Sequence, residues 1–143
     1  MADKSEPNVE IAWARLVRAH TIVLSGIEKA LKKQKLPPLS WYDALLEIER
    51  AGEGGLRPGE LERHLLLPQY GTSRLLARLE TEGFIERKPC PEDARGHNVA
   101  ITASGKALRA RMWPIYSRAM NEFLGEKLSP EETERLSALL GHL

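Results

Sequence analysis

The chain has 143 residues, 42% hydrophobic and 29% charged, which suits one domain and excludes both two independent globules and a chain disordered throughout. No apolar run approaches the ~18 residues that span a bilayer, and residues 1–8 lack the apolar core of a signal peptide, so the expected location is the cytoplasm with no membrane partner. The formal net charge of +1 points to no partner, and the single cysteine, Cys90, has no mate for an internal disulfide, which fits a reducing compartment.

Residues 9–35 carry Val9, Ala12, Trp13, Leu16, Val23, Leu24, Ile27 and Leu31 at three- and four-residue spacing, the pattern of a long amphipathic helix. Lys29, Lys32, Lys33 and Lys35 crowd its last turns, where cations meet the negative end of the helix dipole. Pro37 and Pro38 stop it. Ser40 opens a second helix through Ala51, with Asp43 three residues on as in a capping box and with Trp41, Leu45 and Ile48 facing inward. Gly52, Gly54 and Gly55 end that helix. Pro58 suits the first turn of a short third helix reaching Leu65, and Pro68 restarts the count. Residues 68–82 then read as a fourth helix, with Leu75, Leu76 and Leu79 inward and Gly83 as its C-terminal stop. Two short helices across a tight turn, the second carrying polar and basic residues, make a helix-turn-helix pattern.

The period changes after Gly83. Residues 84–88 and 98–101 read as two short strands, joined by a charged, turn-rich tip over 89–97. Thr102 caps a long helix to Lys127 that has to accommodate Pro114 by a bend or a bulge. Ser129-Pro130-Glu131-Glu132 is a capping box with proline at the first helical position, and it starts a last helix striped by Leu136, Leu139 and Leu140. By segment the charge is +3 over 1–35, −3 over 36–56, +3 over 57–111 and −2 over 112–143, so a modest basic excess sits on the helix-turn-helix and hairpin.

Two segments carry a family resemblance. Asp93-Ala94-Arg95-Gly96-His97-Asn98-Val99-Ala100-Ile101-Thr102-Ala103-Ser104-Gly105 resembles the wing signature of the MarR family of winged-helix transcriptional regulators, an Asp-x-Arg followed by a strand and a Thr-x-x-Gly helix start. Leu75 to Ile85 resembles that family's recognition helix running into its first wing strand. The resemblance spans roughly residues 9 to 140. It implies a mainly α fold with a small β-hairpin wing: a winged helix-turn-helix over 36–102, flanked by dimerisation helices over 9–35 and 103–143.

The resemblance also implies a homodimer on double-stranded DNA, acting as a repressor at a near-palindromic operator. Gln69, Tyr70, Ser73, Arg74 and Arg78 lie on or near the face of the fourth helix away from its leucines, and such groups read base edges and phosphates. Arg78, deeper along the helix, serves equally as a phosphate contact or in an internal ion pair. Arg95 at the wing tip suits a narrow, electronegative minor groove, and Asp93 would hold Arg95 or a recognition-helix arginine in place. Arg87, Lys88 and His97 are either contacts to the DNA backbone or plain surface. The alternative is that the same face is merely solvated, with the winged helix serving protein contacts without DNA.

Small aromatic acids are frequent effectors in the family, and His20, Trp41, Tyr42 and Tyr116 are the candidate lining residues, although core packing accounts for each of them better. Cys90, between two prolines and near Arg87 and Lys88, is either a redox-sensitive thiol in the wing or an inert turn residue. The four histidines (His20, His64, His97, His142) show no metal-ligand spacing and there is no glycine-rich phosphate loop, so neither an enzyme nor a metal or cofactor site is expected.

Overall fold

The computed structural model of the chain describes residues 7–67, 71–90 and 93–143, with 93–95 described by backbone alone. In chain order these form α1 (Pro7–Lys33), α2 (Leu39–Arg50), α3 (Pro58–His64), α4 (Thr72–Thr81), β1 (Ile85–Cys90), β2 (Asp93–Ile101), α5 (Ala103–Phe123), a 3-10 turn (Gly125–Lys127) and α6 (Pro130–Leu140). The mainly helical winged-helix fold implied by the resemblance is what the chain adopts. By packing, the residues separate into two compact units, Lys35–Pro114 and the remainder. The division falls inside α5, so Ala103–Pro114 packs with the winged helix, whereas the sequence suggests a break at the start of that helix.

In the first unit, Leu45, Ile48, Leu61, Leu76, Leu79, Ile85, Val99 and Met112 are essentially removed from solvent. Thr72, Leu75, Leu76 and Leu79 of α4 follow i, i+3, i+4, i+7 and give it one buried face. At about 1.5–3 kcal/mol for each fully buried leucine, this face anchors α4 far more strongly than the intrinsic propensity of a ten-residue helix. β1 and β2 pair antiparallel from Ile85 opposite Ile101 to Pro89 opposite His97. Leu56 and Val99 exchange two backbone hydrogen bonds of 3.0 and 2.9 Å, so the segment before α3 adds a bridge to the hairpin's outer edge.

The hairpin extends further than the sequence suggests. Its strands continue through most of 89–97, with Cys90 opposite Asp93, and Ala94, Arg95 and Gly96 bulge out of the register. Prolines, glycine and charges hide this from a period-two pattern. β1 pairs with β2 on one side only, and on its other edge Pro89 costs no ladder bond.

In the second unit, Gly26, Ile27 and Leu31 are the buried residues of α1, and a Cβ at Gly26 would run into the ring of Phe123. α5 is helical through Pro114 without interruption and ends at Phe123, and the residues to Lys127 form the 3-10 turn instead. At Ser129 the capping box is present in full: the Ser129 hydroxyl accepts the Glu132 N–H at 3.1 Å, and the Glu132 carboxylate accepts the Ser129 N–H at 2.9 Å. α6 buries none of its residues. Among the described residues, no helix is long and apolar enough to cross a membrane, and no group of three potential metal ligands is found.

Two local expectations are corrected. Asp43 does not cap α2, which begins at Leu39 after Pro38 with no side-chain cap. Its carboxylate is buried and serves a different turn, described below. Cys90 is not a turn residue: it is a buried strand residue, and the cation at its sulfur is Arg57, whose Nη2 donates to Sγ at 3.3 Å. Arg87 and Lys88 are engaged elsewhere.

Candidate nucleic-acid interface

The candidate surface is the outer face of α4 together with the hairpin that follows it. Ser73, Arg74, Ala77, Arg78 and Thr81 are exposed on that face. Gly83 ends the helix with φ +80°, which glycine adopts without strain. The Gly83 N–H bonds to the Glu80 carbonyl at 2.9 Å and the Phe84 N–H to the Leu79 carbonyl at 2.9 Å, the paired bonds of a Schellman stop. The chain turns directly from this stop into β1.

The hairpin is tied back to α4 at its base. The Thr102 hydroxyl donates to the Gly83 carbonyl at 2.6 Å and accepts the Gly105 N–H at 3.1 Å, while Ser104 donates to the same carbonyl at 2.9 Å. One residue, Thr102, therefore caps α5 and fastens the hairpin to the end of α4. Arg87 of β1 adds an ion pair to Glu80 of α4 at 3.1 Å; both side chains are substantially exposed, so this pair contributes less than ~1 kcal/mol. On the other side, Lys88 donates to the Glu53 carbonyl at 3.0 Å and Asn98 to the Gly54 carbonyl at 3.1 Å, fastening the hairpin to the loop after α2.

α2 supports the helix-turn-helix from behind. The Asp43 carboxylate accepts the backbone N–H groups of Leu66 at 3.0 Å and Leu67 at 2.9 Å, one on each oxygen, in the turn after α3. Trp41 packs edge-on against Phe84, and the Arg78 guanidinium lies 5.9 Å from the centre of its ring. That contact weakly restrains Arg78 while leaving it exposed. Tyr42 is buried with its ring stacked on Trp113, 6.1 Å between centres. Arg109 pairs with Glu49 at 3.0 Å. Burial works against the Arg109 charge, but its hydrogen bonds to Glu49 and Tyr42 outweigh this and hold its pKa above the ordinary value.

Known proteins similar to this chain fit the same architecture. The sequence pattern of the MarR family matches residues 35–96. An uncharacterized HTH-type transcriptional regulator from Bacillus cereus is 30% identical over 130 residues, 91% of this chain and 84% of that protein. The chain belongs to the MarR family. Its members are transcriptional regulators, and two of their solved structures hold DNA. A MarR family regulator from Streptomyces coelicolor in complex with DNA matches at TM-score 0.85 and 23% identity, over 98% of this chain and 88% of that one. A variant of MarR from E. coli complexed with operator DNA matches at TM-score 0.79 and 25% identity, over 96% and 98%.

Within this MarR-family chain, Ser73, Arg74 and Arg78 share the exposed side of α4, and His97 is exposed on β2. Arg95 and Asp93 lie in the bulged and tip-proximal parts of β2, described by backbone only. Gln69 and Tyr70 lie outside the described residues. Of the effector candidates, Trp41 and Tyr42 belong to the winged-helix unit and turn to different partners, while the exposed His20 and the buried Tyr116 belong to the helical unit. An open groove of about 720 Å³ in the helical unit, lined by Asn121, Leu128, Pro130, Thr133 and Ser137 among others, includes none of these four. The contribution of Asp43 is the main feature missed from sequence. Its three-residue offset from Ser40 imitates a cap, and nothing local marks a carboxylate that serves a turn more than twenty residues later.

Proposed function

We propose that this chain regulates transcription as a homodimer that binds duplex DNA, with α4 in the major groove and the hairpin along the adjacent minor groove. The observation that carries the reading is the exposed Ser73, Arg74 and Arg78 face of α4, fixed at one end to the hairpin by Thr102 and Ser104. Arginine pairs with two acceptors on guanine, and a hydroxyl contacts base or phosphate. Family resemblance adds Arg95, in the bulge of β2, as the proposed cation for the minor groove, with Asp93 holding Arg95 or an α4 arginine in place. Gln69, Tyr70 and His97 complete the proposed contacts.

The dimer rests on apolar surface. Val9, Trp13 and Val17 form one stripe on α1, with Trp13 66% exposed, and α6 carries exposed Leu139 and Leu140. Patches of this kind on a small domain mark an association surface. A two-fold dimer reads half-sites about one helical turn apart, ~34–36 Å, and such a site in a promoter favours repression by occlusion. Release by a small aromatic acid is the further element that family membership suggests, and titrating such acids into the protein–DNA complex tests it.

The deciding experiment is selection of bound duplexes from random-sequence DNA, followed by anisotropy titration of the winner at several salt concentrations. A pseudo-palindromic consensus with steep salt dependence is the expected result. A protein that enriches no duplex even at low ionic strength removes the reading and favours a winged helix used for protein contacts.

A further inference from the structure

We propose that Asp43 is a positioning residue for DNA recognition: its carboxylate clamps the α3–α4 turn and thereby sets how α4 is presented to the groove. The inference rests on the DNA-binding reading above. Asp43 is only 6% exposed, on the face of α2 that also buries Ala44, Leu45 and Ile48. Ionised carboxylates are costly to bury, and burial is tolerated where strong hydrogen bonds replace water. Each oxygen has its own donor here, the consecutive N–H groups of Leu66 and Leu67.

Those two N–H groups sit where the backbone has left α3 and has not yet entered α4. α3 closes with the Leu65 N–H on the Leu61 carbonyl, and Leu65 is extended at φ −62° and ψ 134°. α4 then begins after Gly71 with no side-chain cap of its own. The leucines of α4 fix its depth against the core and Thr102 and Ser104 hold its C-terminal end at Gly83, but at its uncapped N-terminal end non-directional apolar contacts alone leave the seating without definition. Two directional bonds to a rigid helix supply that definition.

Apolar side chains in the turn do not stand in for this. Leu66 is 72% exposed and Leu67 is half-buried, so the turn is held by its backbone. Only a carboxylate offers an acceptor to both N–H groups at once; an asparagine in the same rotamer keeps one acceptor and turns its NH2 toward the other donor. The clamp is also open to attack from the donor side. Leu66→Pro deletes one N–H, and the extended backbone of Leu65 already suits a residue before proline.

The test uses the full-length protein, the tightest duplex recovered from random-sequence DNA, and a scrambled duplex of equal length and composition. Asp43→Asn and Leu66→Pro are compared with Ile48→Val, a core change on the same helix that leaves the turn alone. Each clamp variant is expected to weaken binding to the selected duplex about 10- to 100-fold while leaving the scrambled duplex within about twofold. Ile48→Val should leave the ratio of the two affinities at its native value. The double variant should lose no more than the worse single one, because both break one device. Folded variants with a native affinity ratio overturn the proposal, as does a parallel loss on both duplexes that tracks melting temperature. If Asp43→Asn fails to fold, Leu66→Pro decides by the same criteria. Native protein that selects no duplex removes the underlying DNA-binding reading and this proposal with it, whereas native selectivity with unaffected variants overturns this proposal alone.

Discussion

Replacing Thr102 by valine keeps the volume and the branched shape while deleting one hydroxyl, so it isolates the joint between α4 and the hairpin. That hydroxyl donates to the Gly83 carbonyl and accepts the Gly105 N–H. The Thr102 and Ser104 hydroxyls also lie within hydrogen-bonding distance of each other at 3.1 Å, either able to donate, and both reach the Gly83 carbonyl. Losing a helix cap costs ~0.5–2 kcal/mol. The Gly83 carbonyl still has Ser104, so most of the loss comes from the Gly105 N–H, which is part-buried. About 1–2 kcal/mol is therefore expected, a fall in melting temperature of roughly 2–8 °C at fixed protein concentration. Ser104→Ala alone should cost under ~0.5 kcal/mol, since Thr102 keeps the carbonyl satisfied and Ser104 is exposed. The double variant should exceed the sum of the singles by about 0.5–1 kcal/mol, because only then does Gly83 lose both donors. Urea and thermal unfolding of the four proteins provide the cycle. Equal costs for the two single changes, or strict additivity, would refute the shared-acceptor argument.

Arg74→Ala, at an exposed position on α4, should weaken binding to the selected duplex about 5- to 150-fold and relax preference at one base pair, read by repeating the selection with the variant. An equal loss on every sequence would reassign Arg74 to phosphate. Gly105→Ala tests a sign: in an open helix the change stabilises by ~1 kcal/mol, but here the new Cβ meets the Phe84 carbonyl oxygen and the Ile101 side chain. A net loss of about 1–3 kcal/mol in urea unfolding is expected, and a more stable protein would contradict the close approach. Leu140→Asp should place a charge in the apolar surface of α6 and shift the protein toward monomer in light scattering, with loss of binding to the selected duplex. A variant that stays dimeric would move the interface elsewhere.

The winged helix was legible because its parts announce themselves locally. Leu75, Leu76 and Leu79 define a buried helical face, Gly83 marks its stop, and Thr102 and Ser129 carry cap signals that the structure honours. The wing was legible as a motif but too short in extent. Strand length in a ribbon depends on a partner across the pair, and Pro89, Arg95 and Gly96 look like loop residues without it. Helix ends were missed for a related reason: Leu124 extends the apolar pattern of α5, but the chain leaves the helix after Phe123 and Gly125–Lys127 tighten into a 3-10 turn.

Side-chain roles show the division most clearly. Local spacing and backbone preference are properties of neighbouring residues, and they alone determined the element order, the buried leucine face of α4, and the exposed cationic residues on its other side. Only tertiary structure decided that Asp43 grips Leu66 and Leu67, that Arg78 rests over Trp41, and that Cys90 is buried beside Arg57. These contacts join residues tens of positions apart in the chain. A hydrogen bond or ring contact depends on distances of a few ångströms that no spacing along the chain encodes, and those distances exist only once the helices have packed.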